Sequence, residues 1–440
     1  MRPQTASPVR RILIAATLVS LLVAGQTPAE TIEPSTDAQP PNRDYFAYVC
    51  AESEDIVYLV RFGPSGFDIV KEIPVGTFPA EIEGPHGINV APDGRSWYVS
   101  VAHGQPFGTI HKFSTGDDEW LGDATVGLFP ATLDVSGSTG LLYVVNSDFY
   151  GDHTPSTISV VDTRSMTEVA QIDTGAMPHG SRLDAKGRTL YSVNMMDDDL
   201  VEVDALRFAV KRRLSLGSGG HSGHGDHSAM SDHSAHQGTG HGPKHGEENG
   251  DHAAHASGHG GDHSATDHAA HAGHEPKDDG KMAPHQGMPM KAPTAEPSWV
   301  SKPTADGRLY VAALSGNAVI EIDLEQWKVS RRFETPPGPY NVAVHPDSDL
   351  LVVTYKKSHK VGFWNLETGE EIAQLETTRR IPHGVVITPD GRFSMVTVEG
   401  VGGEPGVVEV FDNRALKRVA ALEIGKQAGG IALWEPSTLR

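Results

Sequence analysis

Short stretches in which apolar and polar residues alternate recur along most of the chain. Examples are Leu200-Val-Glu-Val-Asp204, Val319-Ile-Glu-Ile-Asp323 and Val407-Val-Glu-Val-Phe-Asp412, each rich in β-branched residues and ending in Asp. A period of two predicts β-strands, and turn residues such as Pro92-Asp-Gly94 interrupt these stretches every 8–12 residues or so, which is typical of antiparallel sheet. There is almost no helical periodicity, so the pattern predicts an all-β protein.

The predicted strands fall into a repeat. Six units begin at a proline, and these are Pro85, Pro130, Pro178, Pro297, Pro339 and Pro382. The intervals are 45, 48, 119, 42 and 43 residues, and removing the 75-residue low-complexity segment 217–291 reduces 119 to 44. Units of about 40–45 residues with four strands are typical of β-propeller blades.

A seventh blade is expected from the two ends of the chain. Residues 43–77 carry three strand signals but no innermost strand, and the stretch Gly429–Trp434 is a lone strand. Joining them would close the ring and leave no free sheet edge at the junction. We therefore predict a seven-bladed β-propeller over residues 43–440, with 217–291 as an insertion.

The N-terminus is typical of a signal peptide. Arg2, Arg10 and Arg11 precede an apolar run, Ile12–Ala24, and small residues follow it. The run is shorter than the roughly 20 residues that span a bilayer. We predict a signal peptide over 1–29, a flexible linker over 30–42, a periplasmic or secreted location and no membrane span after cleavage.

Composition narrows the partners. A formal net charge of −21 argues against binding to nucleic acid or to an anionic membrane surface, and we expect a monomer. The sole cysteine, Cys50, cannot form an internal disulfide. Since it lies in an apolar strand signal, we expect a buried structural thiol.

Two segments resemble a known family. Pro85-His-Gly-Ile-Asn-Val-Ala-Pro-Asp-Gly-Arg95 and Leu142-Tyr-Val-Val-Asn146 resemble the YVTN family of exported β-propeller repeats. That family is similar to the propellers of nitrous oxide reductase and of lactonase-type enzymes. The resemblance implies the fold over 43–440 apart from the insertion, and little about function, because this fold hosts many activities. The copper cluster of nitrous oxide reductase needs seven histidines, which this chain does not offer on one face.

The insertion 217–291 has the composition of a metal-binding segment. It contains no Val, Ile, Leu, Phe, Tyr or Trp, so we expect it to be disordered without metal. It repeats Asp-His-x-x-His units such as Asp232-His-Ser-Ala-His236 and Asp251-His-Ala-Ala-His255, and imidazole with a neighbouring carboxylate suits Cu, Zn or Ni. The predicted ligands are His221, His224, His227, His233, His236, His241, His245, His252, His255, His259, His263, His268, His271, His274, His285, Met282, Met288 and Met290. The alternatives are a flexible spacer and a pH-sensitive polyelectrolyte.

A second set of histidines is expected on one face of the ring. His86, His179 and His383 each stand in a Pro-His-Gly sequence at the start of an inner strand, and His103 lies in a loop on the same face. They are candidate metal ligands at the channel mouth. Alternatively, Pro-His-Gly is a turn, with Gly supplying backbone freedom and His a hydrogen bond. The three lie in the second, fourth and seventh blades, which leaves open whether they meet.

Three functions follow as hypotheses. The first is sequestration or delivery of Cu, Zn or Ni, with the propeller as a platform for another exported protein. The second is an oxidoreductase or lactonase-like hydrolase with its site at the channel mouth. The third is a protein-interaction scaffold. The chain has no Gly-x-Ser-x-Gly, phosphate-loop or Cys-x-x-Cys-His motif, so no catalytic residue is assigned and the balance favours a non-enzyme.

Overall fold

A computed structural model of the protein describes residues 38–78, 80–103, 107–151, 154–217, 292–345 and 348–436. The predicted signal peptide and the predicted ligands of the segment 217–291 lie outside the described residues. No helix among the described residues is long and apolar enough to cross a membrane.

The described residues form seven antiparallel sheets of four strands. Blade 1 contains, from the channel outward, β28 (Ala428–Trp434), β1 (Tyr45–Ala51), β2 (Ile56–Gly63) and β3 (Gly66–Pro74), with a short 3-10 helix, Glu52–Glu54, between β1 and β2. Blade 2 contains β4 (Pro85–Val90), β5 (Ser96–Val101), β6 (Gly108–Ser114) and β7 (Trp120–Val126); blade 3 contains β8 (Pro130–Val135), β9 (Leu141–Asn146), β10 (Pro155–Asp162) and β11 (Thr167–Ala176). Blade 4 contains β12 (Pro178–Leu183), β13 (Thr189–Asn194), β14 (Asp199–Asp204) and β15 (Ala209–Ser215); blade 5 contains β16 (Pro297–Val300), β17 (Arg308–Ala313), β18 (Ala318–Asp323) and β19 (Lys328–Glu334). Blade 6 contains β20 (Pro339–Val344), β21 (Leu350–Tyr355), β22 (Lys360–Asn365) and β23 (Glu370–Glu376); blade 7 contains β24 (Pro382–Ile387), β25 (Phe393–Val398), β26 (Val407–Asp412) and β27 (Lys417–Glu423).

The predicted seven-bladed propeller is confirmed, including the way in which the ring closes. The innermost strand of blade 1 is β28, which pairs antiparallel with β1 through Phe46 opposite Trp434, and Tyr48 opposite Ala432. Every other blade starts at one of the six prolines that set the repeat in the sequence.

The core lies between the blades, where the sheets pack face to face. Between blades 1 and 2, Trp97 stacks on Tyr48 and on Phe113, with ring centroids 4.8 and 4.3 Å apart. Burial of each large apolar side chain contributes about 1.5–3 kcal/mol. Cys50 is fully buried in the same layer, as predicted, and burial raises the pKa of its thiol well above the ordinary value.

Each inner strand is preceded by one residue with a left-handed backbone. These residues are Gly84, Phe129, Met177, Glu296, Gly338, Ile381 and Gln427, with φ between 47° and 81°. Only two of them are glycine, so the turn is held by its surroundings, since a non-glycine residue in this region costs about 1–3 kcal/mol. The turn sets the first residues of every inner strand in the same register at one mouth of the central channel.

Candidate functional site

Three of the predicted histidines meet at the channel mouth. The ring of His86 lies 6.1 Å from that of His179 and 5.6 Å from that of His383, measured between centroids, and all three are buried. At the equivalent position, the blade between His86 and His179 carries Ala131 and the blade between His383 and His86 carries Gly429. Histidines from the second, fourth and seventh blades can therefore approach across their smaller neighbours.

In each Pro-His-Gly sequence a glycine is required because a side chain at that position would collide with the neighbouring inner strand. None of the three adopts a positive φ, so the expectation that Gly supplies backbone freedom was wrong. A Cβ at Gly87 would overlap the carbonyl of Ala131, and one at Gly180 would lie 2.8 Å from the carbonyl oxygen of Ser298. The glycines allow adjacent inner strands to approach closely, which makes the channel narrow.

Side-chain hydroxyls hold these inner strands in place. The strand pairing of β24 with β25 is irregular between Pro382 and Val385, which leaves backbone groups without a partner in the ladder. Thr397 Oγ1 accepts a hydrogen bond from Gly384 N at 2.8 Å and donates to the carbonyl of Gly429, in the next blade, at 2.5 Å. The hydroxyl therefore supplies a partner for the Gly384 N–H, which the irregular strand pairing leaves free, and it connects two blades by a hydrogen bond.

The same arrangement recurs one blade earlier. Thr354 Oγ1 accepts from Asn341 N at 3.1 Å and donates to the carbonyl of His383 at 3.0 Å. In blade 3, Thr132 donates to the carbonyl of His179 at 2.6 Å. The backbones of His179 and His383 are thus held by hydrogen bonds between blades.

A buried carboxylate orients two of the imidazoles. Glu52 lies 3.2 Å from His86 Nδ1 and 2.7 Å from His103 Nε2. Because a carboxylate only accepts hydrogen bonds, Nδ1 of His86 carries the proton that faces Glu52, and Nε2 is the ring nitrogen on the cavity side. Burial alone would raise the pKa of the Glu52 carboxyl, but His86 and His103 outweigh it and hold the pKa well below the usual range. The hydrogen bond to Glu52 raises the pKa of His103 despite its burial.

His179 is fixed in a similar way by the backbone. Its Nδ1 donates to the carbonyl of Ser298 at 2.9 Å, and the hydroxyl of Tyr340 lies 3.3 Å from Nε2. Burial, followed by the neighbouring His86, lowers the pKa of His179 to about 3. Burial, with Lys356 as the next cause, also holds the pKa of His383 well below its ordinary value. Both imidazoles are therefore neutral at physiological pH.

An ion pair completes the mouth. Lys356 Nζ lies 2.8 Å from a carboxylate oxygen of Glu399 and 4.1 Å from the ring centroid of Tyr340. Burial alone would lower the pKa of Lys356, but Glu399 outweighs it and the pKa is raised. The distance of 3.9 Å from Glu399 to His383 Nε2 is too long for a hydrogen bond.

The charged residues of the mouth were missed in the sequence, although a signal exists. Glu52, Lys356 and Glu399 each follow directly after the second strand of their blade, namely β1, β21 and β25. Aligning the seven units at this position sets a charged residue in three of them where the others carry Ala102, Ser147, Met195 or Leu314. A charge at a position that faces the channel marks the site.

Below the histidines lies a small polar cavity of about 30 Å³. Four buried polar atoms among the side chains that line it have no hydrogen-bond partner within the described part of the chain: His86 Nε2, His383 Nδ1, Trp299 Nε1 and Asn341 Oδ1. Leaving a buried polar group unpaired costs about 1–3 kcal/mol. Four such atoms around one cavity indicate that it holds a ligand or ordered water.

As placed, the imidazoles do not make a closed metal site. Among the residues that the structure describes, no group of three or more His, Cys, Asp or Glu is arranged so that it could hold one metal ion. His86 and His383 border the cavity, His179 contacts Tyr340, and His103 is directed to Glu52. The sequence-predicted ligands of the channel face are thus brought together, but no ion is enclosed by them in this arrangement.

Comparison with known proteins gives independent information on the fold. No family model matches the chain, and no curated protein matches it. A functionally unknown protein from Desulfotomaculum acetoxidans aligns with a TM-score of 0.60 and 11% identity, over 89% of this chain and 99% of that one. A candidate 6-phosphogluconolactonase from Bacteroides fragilis aligns with a TM-score of 0.58 and 12% identity, over 91% and 100%. Dihydro-heme d1 dehydrogenase NirN, solved in complex with DHE, aligns with a TM-score of 0.51 and 15% identity, over 91% and 76%.

These similarities connect the chain to proteins of different activities. Since each is below 25% identical, they bear on the fold and not on the chemistry. The narrower YVTN family is not confirmed by them. What the similarities support is the β-propeller fold of the chain.

Proposed function

We propose that the protein is an exported metal-binding protein that takes up Cu, Zn or Ni. In this proposal the histidine-rich segment 217–291 captures the ion, and the imidazoles of His86, His179 and His383 receive it at the channel mouth. The observation that carries the proposal is a pair of buried nitrogens at one cavity, His86 Nε2 and His383 Nδ1, which have no hydrogen-bond partner among the described residues.

The hydrogen bonds behind the imidazoles support this reading. A metal-ligating histidine usually donates its other ring N–H to a carboxylate or a backbone carbonyl, which fixes the tautomer and makes the free nitrogen a better ligand. His86 has this arrangement with Glu52, and His179 has it with the carbonyl of Ser298. A histidine that served only the fold would more often have both nitrogens satisfied.

Binding would require the rings to move slightly. The imidazole of His179 would exchange its contact with the Tyr340 hydroxyl for the ion, and the three rings would turn toward a common point. Because the backbones are held by interblade hydrogen bonds, this change is confined to side-chain torsions. The neutral state of His179 and His383 favours it, since only a neutral imidazole offers a lone pair.

The base of the histidine-rich segment is tied to the same face of the ring. Asp198, in the loop between β13 and β14, accepts hydrogen bonds from the backbone N–H groups of Ala295 and Glu296 at 2.9 and 2.8 Å. The carbonyl of Asp198 accepts from Leu216 N at 2.6 Å. Both ends of the segment therefore meet at one residue, and a short linker can replace the segment without separating them.

The test is metal content of the purified mature protein. We expect several equivalents of Zn or Cu in the full chain, about one in a variant whose segment 218–291 is replaced by a short Gly-Ser linker, and none in that variant when His86 and His383 are both changed to Gln. A matched control keeps the length of the segment and changes its fifteen histidines to serine. Mass spectrometry of the periplasmic or secreted product checks the predicted signal cleavage.

Three results would contradict the proposal, the first two in one part each and the third as a whole. Full metal content after the histidine-to-serine exchange would remove the role of the segment. An unchanged single equivalent in the His86→Gln, His383→Gln protein would remove the role of the mouth. No metal in any form would leave the scaffold function in its place.

An enzyme acting on an organic substrate inside the channel is less well supported. Pockets for such molecules usually measure about 300–1,000 Å³, whereas the cavity at the histidines measures about 30 Å³. A cavity of that size suits an ion or a few water molecules.

A further inference from the structure

The floor of the cavity carries an arginine whose charge has no direct partner. Arg182, on β12, donates from Nη1 to the carbonyl of Ser181 at 2.7 Å, and its guanidinium lies 4.9 Å from the ring centroid of Trp299. Among the described residues no carboxylate makes an ion pair with it. Burial lowers the pKa of Arg182, and Asp134 partly opposes this effect. An arginine is nevertheless charged at any physiological pH.

The acidic residue whose charge acts on Arg182 is Asp134, and both of its carboxylate oxygens accept backbone hydrogen bonds. One carboxylate oxygen of Asp134 accepts from Leu183 N at 2.9 Å, and the other accepts from Val135 N at 3.0 Å. The carboxylate is therefore directed at the backbone of two inner strands. Asp134 therefore acts on Arg182 only through its charge, and among the described residues no carboxylate accepts a hydrogen bond from the guanidinium.

Other polar groups without a hydrogen-bond partner among the described residues belong to side chains that line the same cavity. Trp299 Nε1 is a donor only, is buried and has no acceptor among the described residues. Asn341 is 2% exposed and lines the cavity, and its terminal amide can turn either its oxygen or its NH2 group inward. Trp299 Nε1 and the guanidinium thus offer N–H donors to an acceptor in the cavity, and an amide turn at Asn341 would add a third.

A metal ion on the imidazoles would increase this need. It would add positive charge at one wall of a cavity whose other wall holds Arg182, with about 30 Å³ between them. Two like charges at this separation in a poorly solvated site repel strongly, and an anion between them turns repulsion into attraction. One water-sized particle needs roughly 10–15 Å³ by this measure, so the cavity admits a halide or hydroxide and excludes an organic acid.

We propose that the cavity binds one small monovalent anion, held by Arg182 and Trp299, between the guanidinium and the metal-binding imidazoles. This inference rests on the proposed function. It assigns to Arg182, Trp299 and Asn341 the role of an anion site, and it makes uptake of metal depend on the anion. By reciprocity, the anion strengthens metal binding by the same factor as the metal strengthens anion binding.

The experiment locates and measures both ions in the full chain. Crystals loaded with Zn²⁺ in sodium bromide are examined by anomalous diffraction at the zinc and bromine edges. We expect zinc beside His86 and His383 and bromide in the cavity below. The zinc affinity is then measured by chelator competition in bromide and in methanesulfonate at equal ionic strength, and we expect it to be about fivefold or more tighter in bromide. A His86→Gln protein supplies the contribution of the histidine-rich segment, which is subtracted.

Variants separate the anion site from general electrostatics. Arg182→Gln should abolish both the bromide peak and the salt-specific gain in affinity. Arg308→Gln is the matched control, because Arg308 pairs with Asp323 at 2.7 Å and does not line the cavity, and it should retain both. If Arg182→Gln does not fold, Trp299→Phe keeps the ring beside the guanidinium and removes only the N–H donor, and it should weaken bromide binding.

The outcomes are distinguishable from those of the proposed function. Zinc at the mouth with ordered water in place of bromide, and equal affinity in the two salts, would overturn the anion site and leave metal binding intact. No zinc at the mouth in either salt would overturn that part of the proposed function and this inference with it.

Discussion

Acid should destabilise the metal-free protein through His179 in particular. This imidazole is 2% exposed, donates to the carbonyl of Ser298 and has a pKa of about 3 in the folded chain. In the unfolded chain its pKa is about 6.5. The unfolded state therefore binds a proton that the folded state refuses, so the contribution of His179 is present above about pH 6.5 and is lost as the pH falls toward 3.

The magnitude follows from the two pKa values. At about pH 5 the unfolded chain is nearly fully protonated at this residue and the folded chain is neutral, which favours unfolding by about 2 kcal/mol. At about pH 7.5 the same effect is below roughly 0.1 kcal/mol. His179→Asn retains a donor for the Ser298 carbonyl and removes the titration. The free energy of unfolding of the wild type should thus fall by about 2 kcal/mol more than that of the variant between these pH values.

Urea unfolding at the two pH values, with a chelator present, measures this difference. All other titrating groups are common to the two proteins, so their effects cancel in the comparison. If wild type and His179→Asn lose stability in parallel, His179 is protonated or hydrated in the folded protein, and the argument for a neutral, ligand-competent imidazole fails.

Three further predictions concern the groups around it. His103 behaves in the opposite way, because Glu52 raises its pKa; its stabilising effect is present below its unfolded pKa and is lost as the pH rises through the folded value. In urea unfolding, His103→Gln should therefore cost more stability at about pH 5 than at about pH 8.5, and an equal cost would refute the pairing with Glu52. In a chelator competition, Glu52→Gln should weaken zinc binding at the mouth roughly 10–100-fold, whereas the nearby Glu54→Gln should not weaken it. Equal zinc affinities of these two variants would show that Glu52 does not orient His86. Thr397→Val should lower the free energy of unfolding by about 1–3 kcal/mol, because it leaves Gly384 N and the Gly429 carbonyl without these partners. The control Thr167→Val, at an exposed position, should change the free energy of unfolding by less than about 0.5 kcal/mol, and an equally small change in both variants would mean that water replaces the Thr397 hydroxyl.

The fold could be predicted from the sequence because a propeller repeats one pattern seven times. The proline at the start of each unit and the Asp or Asn at the end of its strands gave the period even across a 75-residue interruption. The closing strand was recognisable because the first unit lacked an innermost strand. What repetition could not supply is the width of the channel, which depends on the close approach of Gly87 and Gly180 to neighbouring carbonyls.

The face and the histidines of the candidate site could be predicted from the repeat, but their convergence and the charged residues around them could not. The Pro-His-Gly units indicated which face and which side chains, but convergence of His86, His179 and His383 depends on the small residues of the intervening blades and on the narrow channel. Glu52 and Lys356 carry no local motif, since each is one charge after an ordinary strand. Arg182 belongs to the interior of an inner strand, where a charged residue becomes meaningful only once the opposite wall is known.

The closure of blade 1 also means that the cavity can form only after β28 has been synthesised. Gly430, near the end of the described chain, packs so tightly on the carbonyl of His86 that a Cβ there would overlap it, and Gly430 and Ile431 line the cavity. A chain released before Ala428 would hold all three histidines and still lack one wall between them. It would also expose the free edge of β1, where other chains can pair. The three histidines are therefore synthesised before β28, the strand that completes the cavity beside them.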